Sequence, residues 1–193
     1  MSGEELYHRF LEGDEGAFEG LVTLYRGSLT RYISGFVDTR LDAEELALDA
    51  FAELAAGRKF RGLSSLKTYL FSIGRHIALK HAQHYMNFDC IPAEELAEIM
   101  DRAGRDENTP ETAFLEDADK ARLHEAMAAL KPEYREALYL RYFEYMSYAE
   151  IGNAMKKSEN QIKILMHRAK ASLKQRMLAG DMLIWEAFTD DNT

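Results

Sequence analysis

Cysteine is nearly absent: Cys90 is the single one in 193 residues, which excludes an intrachain disulfide and any cysteine-rich zinc module. Such usage suits a reducing compartment, so a cytoplasmic protein is expected. Proline is scarce as well, with Pro92, Pro110 and Pro132 only, and no segment sustains the alternation of apolar and polar residues that a half-buried strand requires. Apolar runs last a few residues, too short to cross a membrane. The opening MSGEELYHRF is acidic where an export signal is basic and then apolar, so neither membrane insertion nor export is expected. The chain has no glycine-rich phosphate loop and no Gly-x-Ser-x-Gly. Its serines, histidines and acids fall in helix caps and on helix faces. No catalytic constellation and no cofactor site emerge, and the protein is not expected to be an enzyme.

What is there is apolar enough to build one or two small cores, with 47% hydrophobic residues. The net charge of −9 is unevenly spread. Residues 91–120 carry three basic and ten acidic residues, whereas 121–180 carry eleven and six. Within the latter, residues 151–180 hold Lys156, Lys157, Lys163, Arg168, Lys170, Lys174 and Arg176 against one acid, Glu159. An acidic protein with one basic segment is a candidate nucleic-acid binder in that segment alone.

Helical periodicity runs through both ends of the chain, giving an all-α fold of two small domains. Phe18, Leu21, Val22, Tyr25, Leu29, Tyr32, Ile33 and Phe36 recur at i, i+3, i+4 spacing over residues 17–37, with Asp14 placed to cap them. A second helix is expected from Asp42, capped by its own carboxylate with Glu45 answering, to near Gly57; its outer face holds Glu44, Glu45, Asp49 and Glu53. A basic loop, RKFRGLSS, leads into a third helix from about Ser64 to Tyr85 with Leu66, Leu70, Ile73 and Ile77 inward. Residues 88–118 read as a solvated linker with room for one short helix.

The period returns at Leu123, breaks at Lys131-Pro132 and resumes with Pro132 at the first helical position. Ser147 is placed to cap YAEIGNAM and, after a break at Lys156-Lys157, Ser158 to cap a long basic helix. A short capped helix, a tight turn and a long basic helix make a helix-turn-helix. Ile151, Ala154, Ile162 and either Leu165 or Met166 would pack; Lys163, His167, Arg168, Lys170 and Lys174 would project.

In the first half, Arg58, Lys59, Phe60, Arg61, Lys67, Tyr69, Phe71, Arg75, Lys80 and Tyr85 interleave cations with rings. That mixture suits single-stranded DNA, whose unpaired bases stack on rings while cations hold the backbone. Tyr69 and Phe71 lie on different faces, so both cannot be buried against one neighbour. His76, His81, His84 and Cys90 are the nearest approach to a metal-ligand set. With no second cysteine, and with the chain after Tyr85 having to fold back, no metal site is expected.

Taken together, AFEGLVTLYRGSLTRYI, DAEELALDAFAEL and FRGLSSLKTYLFSIGRHIALKH resemble region 2 of bacterial RNA polymerase sigma factors of the extracytoplasmic-function type. LHEAMAALKPEYREALYLRYFEYMSYAEIGNAMKKSENQIKILMHRAKASLK resembles their region 4. The resemblance spans residues 4–177 and implies an organisation of residues 1–88 as region 2, 89–120 as an acidic linker, 121–177 as region 4 and 178–193 as a C-terminal tail. It implies core RNA polymerase as a partner, met by Glu44, Glu45, Asp49 and Phe51. It implies that Arg58, Lys59, Phe60, Arg61, Lys67, Tyr69, Arg75, His76 and Lys80 hold the melted −10 strand of promoter DNA. Ser158, Asn160, Gln161, Lys163, Ile164, His167, Arg168 and Lys170 would meet the −35 duplex. An anti-sigma factor is a further implied partner.

The chain departs from the family pattern in three places. Tyr69 stands where Trp is usual and His76 where Asn is usual, and Ile164-Leu165 replaces Ser-Arg, exchanging base-facing polar groups for apolar ones. The tail, with Met182, Leu183, Ile184, Trp185 and Phe188 amid acids, is an addition expected to pack as a cap on the last core, with folding over a domain to regulate it as the alternative. A one-component helix-turn-helix regulator acting without polymerase is the competing reading; a basic aromatic loop after an acidic helix has no use in such a protein.

Overall fold

A computed structural model describes residues 1–57, 60–81, 123 and 125–178. Every regular element among the described residues is helical. The chain divides into two compact units, Met1–Cys90 with Met146–Ile162, and Ile91–Tyr145 with Lys163–Thr193. The linker, the tail, Arg58, Lys59, His84, Tyr85 and Cys90 lie outside the described residues.

The first unit begins with a helix not anticipated from the apolar period, α1 (Gly3–Leu11). Ser2 and Glu5 form a reciprocal capping box at its start: Glu5 N–H donates to Ser2 Oγ, and Ser2 N–H to Glu5 Oε2 at 2.8 Å. Helix α2 (Glu15–Ser34) starts where Asp14 was expected to cap it, the Asp14 carboxylate accepting from Ala17 N–H at 3.2 Å. It ends three residues earlier than the period suggested, at the Gly35 C-cap. Helix α3 (Arg40–Gly57) starts two residues before the expected Asp42. Its cap is Thr39, whose hydroxyl accepts from Asp42 N–H at 3.1 Å. Asp42 and Glu45 therefore sit inside the helix rather than closing it; the Asp42 carboxylate still favours the first turn, where the helix dipole is positive. Helix α4 (Leu66–His81) is capped by Ser65, which accepts from Thr68 N–H at 3.2 Å.

The core of this unit is Leu21, Leu29, Tyr32, Ile33, Ala47, Leu54, Leu66, Leu70 and Phe71, all essentially sealed from solvent. Phe71 stacks on Tyr32 at 5.1 Å between centroids, so it belongs wholly to the interior. Gly74 lets α4 approach α2 closely: a Cβ there would sit 2.9 Å from Leu29 Cδ1. Burial of this aliphatic and aromatic surface is the main stabilising force, at roughly 1.5–3 kcal/mol for each fully buried large side chain.

In the same unit lie α6 (Tyr148–Met155) and the turn that follows it. Ser147 caps α6 as expected, in a capping box with Glu150. The helix stops at Lys156, which takes the left-handed conformation (φ 56°, ψ 46°), and Lys157 N–H closes the turn onto the Gly152 carbonyl at 2.8 Å. Only glycine fits at 152, since a Cβ would lie 2.7 Å from the Lys157 carbonyl oxygen. Ser158 then caps the next helix as expected: Gln161 N–H donates to Ser158 Oγ at 3.2 Å, and Ser158 N–H to Gln161 Oε1 at 2.8 Å.

In the second unit, Leu123 and Glu125–Ala128 are helical, and α5 (Pro132–Tyr142) starts with Pro132 at its first position, as the sequence indicated. Helix α7 (Glu159–Leu178) contributes the buried residues Leu165, Met166, Ala169 and Leu173. Charge is managed inside this core by hydrogen bonds. Tyr139 donates its hydroxyl proton to the buried Glu144 at 3.0 Å, and Arg135 Nη1 donates to the Ala128 carbonyl at 2.7 Å.

Candidate nucleic-acid and polymerase interfaces

Helix α3 is amphipathic in charge. Ala43, Leu46, Ala47, Ala50, Phe51 and Leu54 are buried, while Glu45, Asp49 and Glu53 are exposed and Glu44 is half-buried. Arg40 Nε donates to Glu44 Oε1 at 3.0 Å, an exposed i, i+4 pair that partly neutralises one end of the acidic face. Phe51 is 2% exposed, with its ring edge-on to Phe18 at 6.4 Å. It braces the acidic face from beneath, in the core. Leu41 and Leu48 are exposed beside the acids, giving the surface an apolar component.

At the start of α4 the chain gathers aromatic rings. Phe60 packs edge-on against Tyr7 at 5.7 Å and tilted against Tyr69 at 5.5 Å, and both Phe60 and Tyr69 remain half-buried. Arg61, His76 and Lys80 are exposed, and Lys67 and Arg75 half-buried. Lys67 places its Nζ 5.6 Å from the centre of the Phe71 ring, a cation–π contact that anchors the cation's stem on the core. Leu63 is 86% exposed at the tip of the loop, next to Gly62 in the left-handed region (φ 70°). Phe60, Arg61, Lys67 and Tyr69 are thus brought to one end of the unit, while Arg75, His76 and Lys80 continue along α4.

Along α7, Ser158, Asn160, Gln161, Lys163, Ile164, His167 and Arg168 are exposed. Lys170 is half-buried, its Nζ lying 5.7 Å from the centre of the Tyr142 ring. Leu165, expected either to pack or, with Ile164, to stand in place of base-facing polar residues, is 8% exposed and belongs to the core together with Met166, whereas Ile164 is 53% exposed; of that pair only Ile164 faces outward. The 3.6-residue period explains the difference, since Leu165 falls with Ile162, Met166 and Ala169 on the buried stripe.

Two features escaped the sequence reading. Glu4 Oε1 accepts the Leu66 N–H at 2.8 Å, satisfying a donor at the start of α4 from α1. Glu150, besides closing its capping box, receives Ser65 Oγ at 2.9 Å and Thr68 Oγ1 at 3.2 Å on Oε1. Burial pushes the Glu150 carboxyl up, but the hydrogen bonds from the Ser147 backbone, Ser147, Ser65 and Thr68 outweigh it and hold the group below the usual glutamate range. The Ser147-x-x-Glu150 spacing was visible as a capping box; its second partner on α4 was not. Among the described residues no His, Cys, Asp or Glu side chains converge in a metal-binding group, and no helix is long and apolar enough to cross a membrane.

Comparison with known proteins gives this arrangement its class. Residues 21–85 match the family model Sigma-70 region 2, and residues 120–173 match Sigma-70, region 4. The chain is 32% identical over 180 residues to the RNA polymerase sigma-H factor of Pseudomonas aeruginosa, covering 90% of this chain and 93% of that protein. It is 30% identical over 181 residues to the ECF RNA polymerase sigma factor BldN of Streptomyces coelicolor, covering 92% and 66%. Two solved structures share the fold. One is CnrH in complex with the cytosolic domain of CnrY (TM-score 0.62, 20% identity, 91% and 97% covered). The other is the sigma factor RpoE with the anti-sigma factor NepR from Bartonella quintana (TM-score 0.57, 20% identity, 85% and 98% covered). The chain belongs to the sigma-70 family of RNA polymerase sigma factors. Within that family it is of the extracytoplasmic-function type, a transcription initiation factor that binds core RNA polymerase and directs it to promoters. The one-component regulator finds no support.

Proposed function

We propose that the three surfaces divide the work of promoter opening. Glu44, Glu45 and Asp49 on α3 dock on a basic, helical element of core polymerase, with Phe51 holding the helix in place from the core. Phe60, Arg61, Lys67, Tyr69, Arg75, His76 and Lys80, joined by Arg58 and Lys59, which precede Phe60 in the sequence, capture the melted non-template strand of the −10 element. A base leaving the stack finds rings to stack on and cations for its phosphates. Ser158, Asn160, Gln161, Lys163, Ile164, His167, Arg168 and Lys170 meet the −35 duplex at the start of α7, whose first-turn N–H groups and cations suit phosphate. Residues 1–88 and 121–177 are accordingly the −10 and −35 domains, joined by the 89–120 linker and followed by the 178–193 tail. The chain catalyses no step itself, works in the cytoplasm beside polymerase, and pairs with an anti-sigma factor, a kind of partner with which the sigma factor RpoE from Bartonella quintana forms a solved complex.

The observation that carries this reading is the segregation of charge onto opposite kinds of helix. The outward residues Glu45, Asp49 and Glu53 of α3 are acids, whereas the outward face of α7 carries Lys163, His167 and Arg168 with Glu159 its single acid. One surface suits a basic protein and the other suits DNA. Titration of core polymerase with the Glu45→Lys/Asp49→Lys chain tests it: core affinity falls at least tenfold through like-charge contact, while duplex binding persists. Unchanged core affinity overturns the docking assignment.

A further inference from the structure

Helix α1 carries none of the residues assigned to polymerase or DNA, yet both ends of the strand-capturing loop rest on it. Glu4 and Tyr7 are three residues apart and share one face of the helix. Tyr7, only 1% exposed, meets the Phe60 ring edge-on at 5.7 Å, where the loop begins. Glu4 Oε1 accepts the Leu66 N–H at 2.8 Å, where the loop ends. Between these two anchors Arg61, Gly62 and Leu63 are exposed, and Gly62 at φ 70° makes a turn that residues with a Cβ rarely adopt. The ends are held and the tip projects.

The helix that holds them is itself fixed, by contacts that do not involve the loop. A Cβ at Gly3 would lie 2.8 Å from Tyr25 Cε2 on α2, and one at Gly20 of α2 would lie 3.1 Å from Leu6 Cδ2. Phe10, one turn beyond Tyr7 and 6.3 Å from it between ring centres, packs on Phe18 of α2 at 4.8 Å. Arg9 Nε donates to Asp14 Oδ2 at 3.0 Å, tying the end of α1 to the cap of α2. Glu4 and Tyr7 therefore present a rigid surface. A loop ordered on such a surface before DNA arrives does not lose that conformational freedom on binding, so more of the contact energy appears as affinity.

We propose that Glu4 and Tyr7 are positioning residues for strand capture: α1 pre-forms the loop from Phe60 to Leu66, and Tyr7 sets the Phe60 ring for the departing base. This rests on the promoter reading above and adds the residues that shape its −10 site. Tyr7 is sealed from solvent and Glu4 is spent on a backbone N–H, so both act through the loop rather than on DNA. Their loss should weaken capture without removing a phosphate contact, which leaves the salt dependence of binding unchanged.

The test uses holoenzyme assembled from core polymerase and the full chain. The probe is a short fluorescent non-template strand covering the −10 element of a promoter that the parent holoenzyme transcribes. Tyr7→Leu, which fills the site but lacks the ring edge, weakens strand binding about fivefold, and Tyr7→Phe, which keeps the ring, stays within about twofold of the parent. Glu4→Ala weakens it about threefold and Glu4→Gln restores most of the loss, giving a second route should Tyr7→Leu fail to fold. Circular dichroism and core affinity matching the parent show that each variant is folded and docked. In the Phe60→Ala chain, which itself binds the strand weakly, Tyr7→Leu adds nothing further, because its effect runs through that ring. Parental strand binding by both Tyr7→Leu and Glu4→Ala, a Tyr7→Leu loss undiminished in the Phe60→Ala chain, or a lowered salt slope overturns the positioning role while capture by Phe60 stands. Parental strand binding by Phe60→Ala alone overturns the promoter reading of that ring, and the positioning role falls with it.

Discussion

Glu4 and Leu66 stand 62 residues apart in sequence, yet the Glu4 carboxylate accepts the Leu66 backbone N–H at 2.8 Å, so that α1 closes the open end of α4. Ser65 caps the same turn locally through Thr68 N–H, and Glu4 supplies the acceptor that the local sequence lacks. Glu4→Ala removes it and lowers stability by about 1 kcal/mol; Glu4→Gln, which retains an oxygen, costs less than half as much. Urea denaturation of both variants checks the order, and equal losses would show that the carbonyl-type acceptor is not what matters.

The turn between α6 and α7 holds Lys156 at φ 56°, a conformation that costs a side-chain-bearing residue about 1 kcal/mol relative to glycine. Lys156→Gly raises stability by about that amount. Gly152→Ala lowers it by about 2 kcal/mol or more, because its methyl would meet the Lys157 carbonyl oxygen. Thermal melts of the two single variants should therefore move in opposite directions.

Leu165 and Ile164 are neighbours with opposite roles. Leu165→Ala empties a buried site and costs about 2–4 kcal/mol of stability, whereas Ile164→Ala, on an exposed position, changes it by about 0.5 kcal/mol or less. Ile164→Ala acts instead on duplex binding, altering preference at a thymine-bearing position. Chemical denaturation alongside binding to a randomised duplex library separates the two.

The Glu150 carboxyl is held below its ordinary range in the folded protein, so the sign is fixed. Its hydrogen bonds from Ser147, Ser65 and Thr68 stabilise the fold above the unfolded value of about 4.5 and lose their contribution as pH falls through the lower folded value. The difference in melting temperature between the parent chain and Glu150→Gln is expected at pH 7 and should shrink progressively below about pH 4.5. A difference that grows on acidification would reverse the assignment.

Elements with a strong apolar period or a local cap were legible in the sequence, because both signals are contained within a few residues. Asp14, Ser147, Ser158 and Pro132 mark their helix starts for this reason. Helix α1 was missed because its signal is the polar Ser2–Glu5 box rather than an apolar stripe, and α3 was started late because Asp42 looks like a cap when Thr39 is one. The placement of Leu165 required the exact phase of α7, which a one-residue ambiguity between Leu165 and Met166 left open until burial placed both inside. Glu4 and Glu150 were invisible as partners of α4, since hydrogen bonds spanning 62 and 85 residues leave no local pattern. The acidic face of α3 and the basic face of α7 were readable as charge; that Phe51 lies beneath the first of them, not on it, was not.

The central claim is that this chain turns core RNA polymerase into a promoter-specific enzyme through the acidic α3 face and the −10 and −35 surfaces. Mapping transcript 5′ ends from core polymerase over a genomic promoter pool, with and without the chain, tests it most directly. Defined start sites are predicted only when the chain is present, and they should be lost with Glu45→Lys/Asp49→Lys. The same start sites from core polymerase alone, or undiminished starts with the double substitution, would contradict the account.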